Sequence, residues 1–333
     1  MNLKINPHAS VPKYQQIVDR LMERIEVGEL KVGDKMPSIE KVSKNNKVAK
    51  ETVVKAYRHL KANGLIDSTE KKGFFVLTTN TQKQWRVLVL FNVLSPSKEV
   101  IYKSIVNTLN EKAHVDLLFH NYNAEIFENI IKSKEASYHY FIIMPHYNPT
   151  SIEVLKILPP EKLFILDRPL QHHIPGASSV HQDFRLDVYN ALNSQQSTVL
   201  KYNQLVVLFP KGKNLPEEII DGIRQFTSEN KIKLKVAETV REKMLEPGTL
   251  FITTTDDLLI KLIELQQNTK LKLGKDIGII SYNENPLKRI LAGGITTISS
   301  DFAKMGATVA ELILRKETRI IHNSFNLIKR KSL

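Results

Sequence analysis

A chain of 333 residues exceeds what one ordinary core organises and accommodates two or three domains of ~100–200 residues each. Its 42% hydrophobic and 25% charged residues exclude a disordered chain, a collagen-like fibre and a coiled-coil rod. No window approaches the ~18–20 consecutive apolar residues of a membrane helix, and the N-terminus does not read as an export signal, so a soluble, cytoplasmic chain is expected. Zero cysteines exclude a disulfide framework, a thiolate nucleophile and a cysteine-based zinc site. The net charge of +13 is unevenly spread: residues 1–80 hold 15 basic and nine acidic side chains, and eight basic residues meet only two acidic ones from Lys35 to Lys61. Such a basic module suits a phosphate backbone, although a solvated lysine-rich surface explains any single run equally well.

Taken in chain order, apolar residues recur at Tyr14, Ile17, Val18, Leu21, Met22 and Ile25, predicting a helix over 13–27 that Gly28 ends. After the turn-rich GELKVGDKMPS, Ser38 can cap a short helix that bears Ile39 and Val42 and stops near Asn45 and Asn46. A third helix is predicted over 49–62, with Val48, Val53, Ala56, Tyr57 and Leu60 facing inward and Asn63–Gly64 closing it. Leu65 and Ile66 begin a strand, Lys71, Lys72 and Gly73 form a hairpin turn, and residues 74–77 return. That order is a winged helix-turn-helix, a small α+β domain assigned to residues 1–78. The polar LTTNTQKQW reads as a linker, assigned to 79–85.

The wording of this segment is more specific than its pattern. "Y-x-Q-I", "G-E-L-x-x-G-D-K-x-P-S", "T-V-x-K-A-Y-x-x-L", "G-L-I" and a glycine-tipped wing before "F-V" resemble the GntR family of bacterial transcription factors over about 65 consecutive residues. The resemblance implies that the third helix enters the major groove of double-stranded DNA with Lys50, Glu51 and Thr52 near its start. Lys50 holds the family's usual arginine position and could reach guanine or a phosphate, Glu51 could accept from cytosine, and Thr52 suits a phosphate. Ser38 and Lys41 would meet the backbone at the second helix, and Lys71, Lys72 and Gly73 would bring the wing to it. Two positions depart from the family, which often has arginine where Glu40 and Val54 stand.

Beyond the linker, strand-length apolar runs alternate with helical stretches. RVLVLF precedes a helix over 100–113, VDLLFH one over 124–132, and YFIIMP one over 150–158, before KLFILD. A second set follows: a helix over 184–195, QLVVLFP, a helix over 217–230, KLKVAE, GTLFITTT, a helix over 257–267, and IGIISY. This is the pattern of α/β parallel sheets covered by helices, and two consecutive halves predict two lobes over 86–333. Ligands of such folds sit at the carboxyl ends of the strands.

The block IGIISYNENPLKRILAGGITTISSDFAKMGATVAELIL, with FILDRP at 164–169, FITTTDDLL at 251–259 and LIKRKS at 327–332, resembles LacI-type regulators, which share their fold with periplasmic sugar-binding proteins. A GntR head on such a body is the architecture of the bacterial arabinose-repressor group. The resemblance implies a sugar-responsive, dimeric transcription regulator that binds an effector between lobes, a pentose or 6-deoxyhexose being only the family's suggestion. Carried over singly, Asp167 matches the "I-D-R" aspartate, Asp256 the Asn of "N-D" and Asn283 the first Asp of "D-D"; Arg168 follows Asp167. Phe91, Asn92, His146 and Tyr147 also follow strands and could complete the pocket. The family's effector-binding arginine in the second lobe is replaced by Ile219, which Lys213 or Arg168 would have to offset.

An enzyme is the weaker reading. Asp256, Asp257 and Glu284 are carboxylates at strand ends, but no Gly-rich phosphate loop, G-x-S-x-G elbow or histidine pair at metal spacing accompanies them, and His172–His173 lacks further ligands. No recognisable Schiff-base lysine motif is present. No cofactor and no metal are therefore expected. A non-catalytic sugar sensor or carrier is the other alternative.

Overall fold

The computed structural model describes residues 2–6, 11–69, 72–78, 84–168, 170, 174–212 and 214–333, and divides into two compact units, Met1–Trp85 and Arg86–Leu333. In the first, α1 (Lys13–Glu26), α2 (Ile39–Asn46) and α3 (Lys50–Ala62) precede a two-stranded wing of β1 (Ile66–Thr69) and β2 (Gly73–Val76). The wing is antiparallel, with Ile66 opposite Val76 and Thr69 opposite Gly73. The inward residues read from the periodicity, Ile17, Leu21, Ile25, Val53, Ala56 and Leu60 among them, are fully buried in one cluster. Ser38 caps α2, accepting from the Lys41 amide at 3.2 Å, while α3 starts at Lys50 with Ala49 as an uncapped N-terminal neighbour. The Tyr57 hydroxyl donates to the Pro37 carbonyl at 2.7 Å and its ring meets Phe74 edge-on at 5.1 Å, so one residue ties the turn before α2, helix α3 and the wing together. Of the expected linker, 79–83 lie outside the described residues; before it the Leu77 amide donates to the Leu65 carbonyl at 2.9 Å, and Trp85 already belongs to a strand.

The second unit holds two six-stranded sheets. Its first lobe is built from β3 (Trp85–Phe91), α4 (Pro96–Leu109), β4 (Ala113–Phe119), α5 (Ala124–Lys134), β5 (Tyr140–Ile143), α6 (Pro149–Leu155), β6 (Leu163–Asp167) and β7 (Ser178–His181). The chain then enters the second lobe with α7 (Phe184–Asn193), α8 (Gln196–Val199), β8 (Gln204–Leu208), α9 (Glu218–Glu229), β9 (Lys233–Ala237), β10 (Thr249–Thr253), α10 (Asp256–Gln267), β11 (Ile277–Tyr282) and β12 (Thr296–Ser300). Next come α11 (Phe302–Arg315), which returns to pack on α4, β13 (Ile320–His322), which pairs with β7, and β14 (Phe325–Ile328), which pairs antiparallel with β12. The sheet orders are β13-β7-β6-β5-β3-β4 and β14-β12-β11-β10-β8-β9. Two consecutive sequence halves therefore describe the lobes incompletely: the chain passes between them three times, after β7, β12 and β13.

Two predicted helices shift for local reasons. The helix expected over 100–113 begins at Pro96, because Ser95 caps it and proline suits a first helical turn; Asn110 at φ 46° ends it. The helix expected over 150–158 begins at Pro149, capped by Asn148, and stops at Leu155. Phe91, Phe141, Phe164 and Phe251 are fully buried in the sheets, each contributing roughly 1.5–3 kcal/mol by leaving water. Gly306 lets α11 lie on α4: an added Cβ would meet the Ile101 carbonyl oxygen and stand 2.9 Å from the Ser104 Cβ.

His120, just after β4, is fully buried and donates from Nε2 to the Met144 carbonyl at 3.1 Å, which leaves Nδ1 bare and without a partner among the described residues. Burial pushes its pKa down to about 4. An unfolded histidine binds its proton first, so this stability is present at pH 7 and lost as pH falls from ~6.5 toward 4. Urea unfolding followed by Trp85 fluorescence should show about 2 kcal/mol less stability at pH 5 than at pH 7 from this group. His120→Gln should lose most of that difference; an unchanged pH dependence would refute the assignment.

Candidate functional site

In the first unit, Lys41, Lys50, Glu51 and Lys72 are exposed and Thr52 is half-buried, while Lys71 lies outside the described residues. Ala49 offers no side-chain cap; the Thr52 amide turns back to the Ala49 carbonyl at 3.1 Å, which leaves the first two amides of α3, Lys50 and Glu51, without a side-chain acceptor at the cap. Lys50 Nζ stands 3.1 Å from Glu40 Oε1, an exposed pair joining the first turns of α2 and α3. The departure at Glu40 thus bears on Lys50 directly: the carboxylate offsets the charge that a phosphate would attract. Gly73 opens β2 at φ 102°, a conformation that favours glycine, and an added Cβ would meet Lys35 Cε at 3.3 Å. The wing therefore carries the exposed stem of Lys35 beside its tip.

A cavity of about 540 Å³ opens between the lobes of the second unit. Its first-lobe wall comes from residues after β3 (Asn92), β5 (His146, Tyr147), β6 (Asp167, Arg168) and β7 (Gln182). Asn214–Pro216, Tyr282 and Asn283 line it from the second lobe, and Phe184 and Phe302, which open α7 and α11, add two aromatic rings. Six of the eight effector positions read from sequence thus meet here. Two do not. Phe91 is fully buried inside its sheet, because the alternation of β3 turns its ring into the core and leaves Asn92 at the rim. Asp256 is absent from the lining because both its oxygens are used elsewhere.

Asp167 and Asn283 occupy matched places, each at the end of the fourth strand of its lobe. Both are left-handed, at φ 79° and 62°. Asp and Asn tolerate that region best among residues with a Cβ, and such strain collects at ligand sites. Asp167 is fastened twice to Gln182, whose backbone amide donates to its carbonyl at 2.9 Å and whose Nε2 donates to Oδ1 at 2.6 Å. Asn283 is held from beneath by Lys288, which is buried: Nζ donates to the Tyr282 and Asn283 carbonyls at 2.9 and 2.7 Å and stands 2.8 Å from Asp256 Oδ1. Asp256 Oδ2 accepts from Asn285 at 2.9 Å. Burial lowers the Lys288 pKa, and the Asp256 carboxylate opposes that shift. The aspartate read as an effector contact thus holds the lysine beneath the Asn283 turn.

Charge in the cavity is largely matched. Arg168 Nη2 pairs with Glu218 Oε2 at 3.0 Å, from the first lobe to α9 of the second, and its guanidinium lies 5.4 and 5.3 Å from the Tyr147 and Phe184 rings. Ile219, at the family's arginine position, is fully buried in the second-lobe core, and Lys213 lies outside the described residues. Burial and the Asp167 charge together raise the phenols of Tyr122, Tyr147 and Tyr282. His146 accepts a long 3.4 Å bond from the Asn148 amide. Glu284, a candidate in the enzyme reading, is clamped by Arg330 through both oxygens at 2.8 and 2.9 Å and bonded by Thr297. Burial alone would raise its pKa, but these bonds outweigh it and hold the carboxylate low. Among the described residues no cluster of three His, Cys, Asp or Glu could hold a metal, and no helix is long and apolar enough to cross a membrane.

These two units define a winged helix-turn-helix joined to a two-lobed α/β body with a ligand-sized cleft. Residues 13–76 match the bacterial regulatory proteins of the gntR family, and residues 202–332 match the periplasmic binding protein-like domain. The chain therefore carries a head that matches the gntR family and a body whose later part matches the periplasmic binding protein-like domain. It is 34% identical over 98 residues to the uncharacterized HTH-type transcriptional regulator YdfD of Bacillus subtilis, covering 27% of this chain and only 20% of that protein. Similarity to the arabinose metabolism transcriptional repressor of Geobacillus stearothermophilus runs nearly end to end, at 22% identity over 97% of this chain and 96% of the other. A LacI family regulator from Enterococcus faecium, solved with bound ribose, shares the fold at TM-score 0.59 and 20% identity, over 74% of this chain and 98% of its own.

The support beneath Asn283 is open to measurement. Asp256→Ala should strand the buried Lys288 ammonium and lower stability by about 1–3 kcal/mol, read by thermal unfolding. Asp256→Asn, which keeps an acceptor, should lose less. Wild-type melting of Asp256→Ala would mean that the two carbonyls alone satisfy Lys288.

Proposed function

We propose that the chain is a sequence-specific DNA-binding transcription regulator, a repressor of carbohydrate use, whose hold on its operator is modulated by a small neutral sugar in the cavity between the lobes. The observation that carries this reading is the pairing of Asp167 and Asn283, left-handed at matched strand ends of the two lobes and lining one cavity. A carboxylate and an amide take or give hydrogen bonds to hydroxyls, and an unmet partner in a desolvated site is costly. Asp167 and Glu218 offset Arg168 and Lys98 at the cavity, which favours an uncharged ligand. The end-to-end similarity to an arabinose metabolism repressor and the ribose held by a protein of the same fold support a monosaccharide.

In this reading residues 1–78 bind DNA through Ser38, Lys41, Lys50, Glu51, Thr52, Lys72 and Gly73, and Lys71 belongs to the same wing. The body, 86–333, dimerises and binds effector, working in the cytoplasm without catalysis. Two heads meet half-sites about one helical turn apart. Effector that draws the lobes together alters the spacing of the heads, and ligand and DNA then oppose each other through one coupling free energy.

Lys50→Ala should weaken operator binding by ~1–3 kcal/mol and relax preference at one base position. Lys72→Ala should weaken all duplexes alike and flatten the salt dependence, both read by fluorescence anisotropy. If both variants bind as wild type does, the docking of α3 and the wing is wrong. For the cavity, a monosaccharide panel scored by thermal shift identifies the effector. Asn283→Ala should then lose at least several-fold in effector affinity, ~1 kcal/mol or more, while ligand-free operator affinity stays unchanged. Normal induction of that variant would move the site elsewhere.

A further inference from the structure

Three cavity-lining residues carry a buried polar atom without a partner among the described residues: Asn92 Oδ1, on a residue already singled out from the sequence, and two that the sequence did not suggest, Gln182 Oε1 and the Tyr282 hydroxyl. Gln182 and Tyr282 are each only 5% exposed. Gln182 cannot turn its amide over without facing Asp167 with a second acceptor, because Nε2 already donates to that carboxylate at 2.6 Å. Its Oε1 is thereby fixed as a pure acceptor on the first-lobe wall. Tyr282 ends β11 in the second lobe and stays a neutral phenol, since burial and nearby carboxylates raise it well above its ordinary range. A buried polar group left unmet is destabilising, so its retention at a cavity wall marks a place where a ligand completes the bond.

Resting on the sugar reading above, we propose that Gln182 and Tyr282 set ligand specificity, demanding a neutral polyol that donates one hydroxyl to Gln182 Oε1 and bonds through another oxygen to the Tyr282 hydroxyl. Analogues lacking either group leave a desolvated atom unpaired, which discriminates far more strongly than a change in apolar bulk. Because the two contacts come from opposite lobes, only a ligand that spans both satisfies the pair.

The test titrates the full-length protein calorimetrically with D-ribose, L-arabinose, D-xylose, D-glucose and L-fucose, then repeats the tightest binder with Gln182→Met and Tyr282→Phe. Each variant should lose at least tenfold in affinity. A singly deoxygenated form of that sugar should bind wild type at least tenfold more weakly, yet bind Gln182→Met within threefold of the parent sugar. Without ligand, Tyr282→Phe should melt no lower than wild type, because the deleted oxygen had no partner; this sign separates a ligand group from a structural one. Tyr282→Phe removes a single atom and carries the test if Gln182→Met does not fold. Binding within twofold of wild type by a folded variant, or a lower ligand-free Tm for Tyr282→Phe, would overturn the assignment while leaving the sugar reading intact. Failure of all five sugars to bind wild type would instead overturn the sugar reading and this assignment with it.

Discussion

Parallel pairing obliges every strand joined by a crossover to release its chain at the same edge of the sheet, and the second unit is organised around that constraint. Within each sheet the first strand lies inside, with the second on one side and the third on the other, β4-β3-β5 in one lobe and β9-β8-β10 in the other. The loops diverge at that switch, leaving room for the cavity. Residues as distant as Asn92 and Asn283 share it because the fold places strand ends, whatever their separation in the chain.

What could be read in the sequence was whatever repeats or stands out chemically. The head was legible almost residue by residue, since its inward positions follow a strict helical period and its turns carry glycine or a capping serine. The long apolar strands β3, β8, β10 and β11 were equally plain. By contrast β7, β12, β13 and β14 went unmarked: they are three to five residues long, and Ser178, Ser179, Thr296, Thr297, Ser299 and Ser300 are buried despite their hydroxyls. Hydropathy hides such strands, and with them the repeated passage of the chain between lobes. The tie of Asp256 to Lys288 was invisible in sequence, because Lys288 sits 32 residues away and looks like one more surface lysine. Gln182 carried no signal at all; what singles it out is the bond that fixes its amide.

The second-lobe departure from the LacI pattern has a coherent setting. Ile219 contributes to packing between α9 and its sheet, while the preceding residue, Glu218, meets Arg168 from the other lobe. The cation at this mouth is thus supplied by the first lobe and restrained by a carboxylate of the second. With both side chains partly exposed, the pair is weak alone, of order 0–1 kcal/mol. Its worth lies in direction, since at 3.0 Å it already joins one lobe to the other and would be lost if they moved apart.

The three passages between lobes also bear on how the protein is made. Helix α11 and strand β13 belong to the first lobe, yet they follow every strand of the second lobe except β14 in the chain. Until they arrive, β7 stands as an open sheet edge and α4 lacks its facing helix, whatever the second lobe has already achieved. A nascent chain stopped before residue 302 would therefore hold a nearly finished second lobe beside a first lobe with an unsealed flank, and neither half is closed until residues 302–328 have been added.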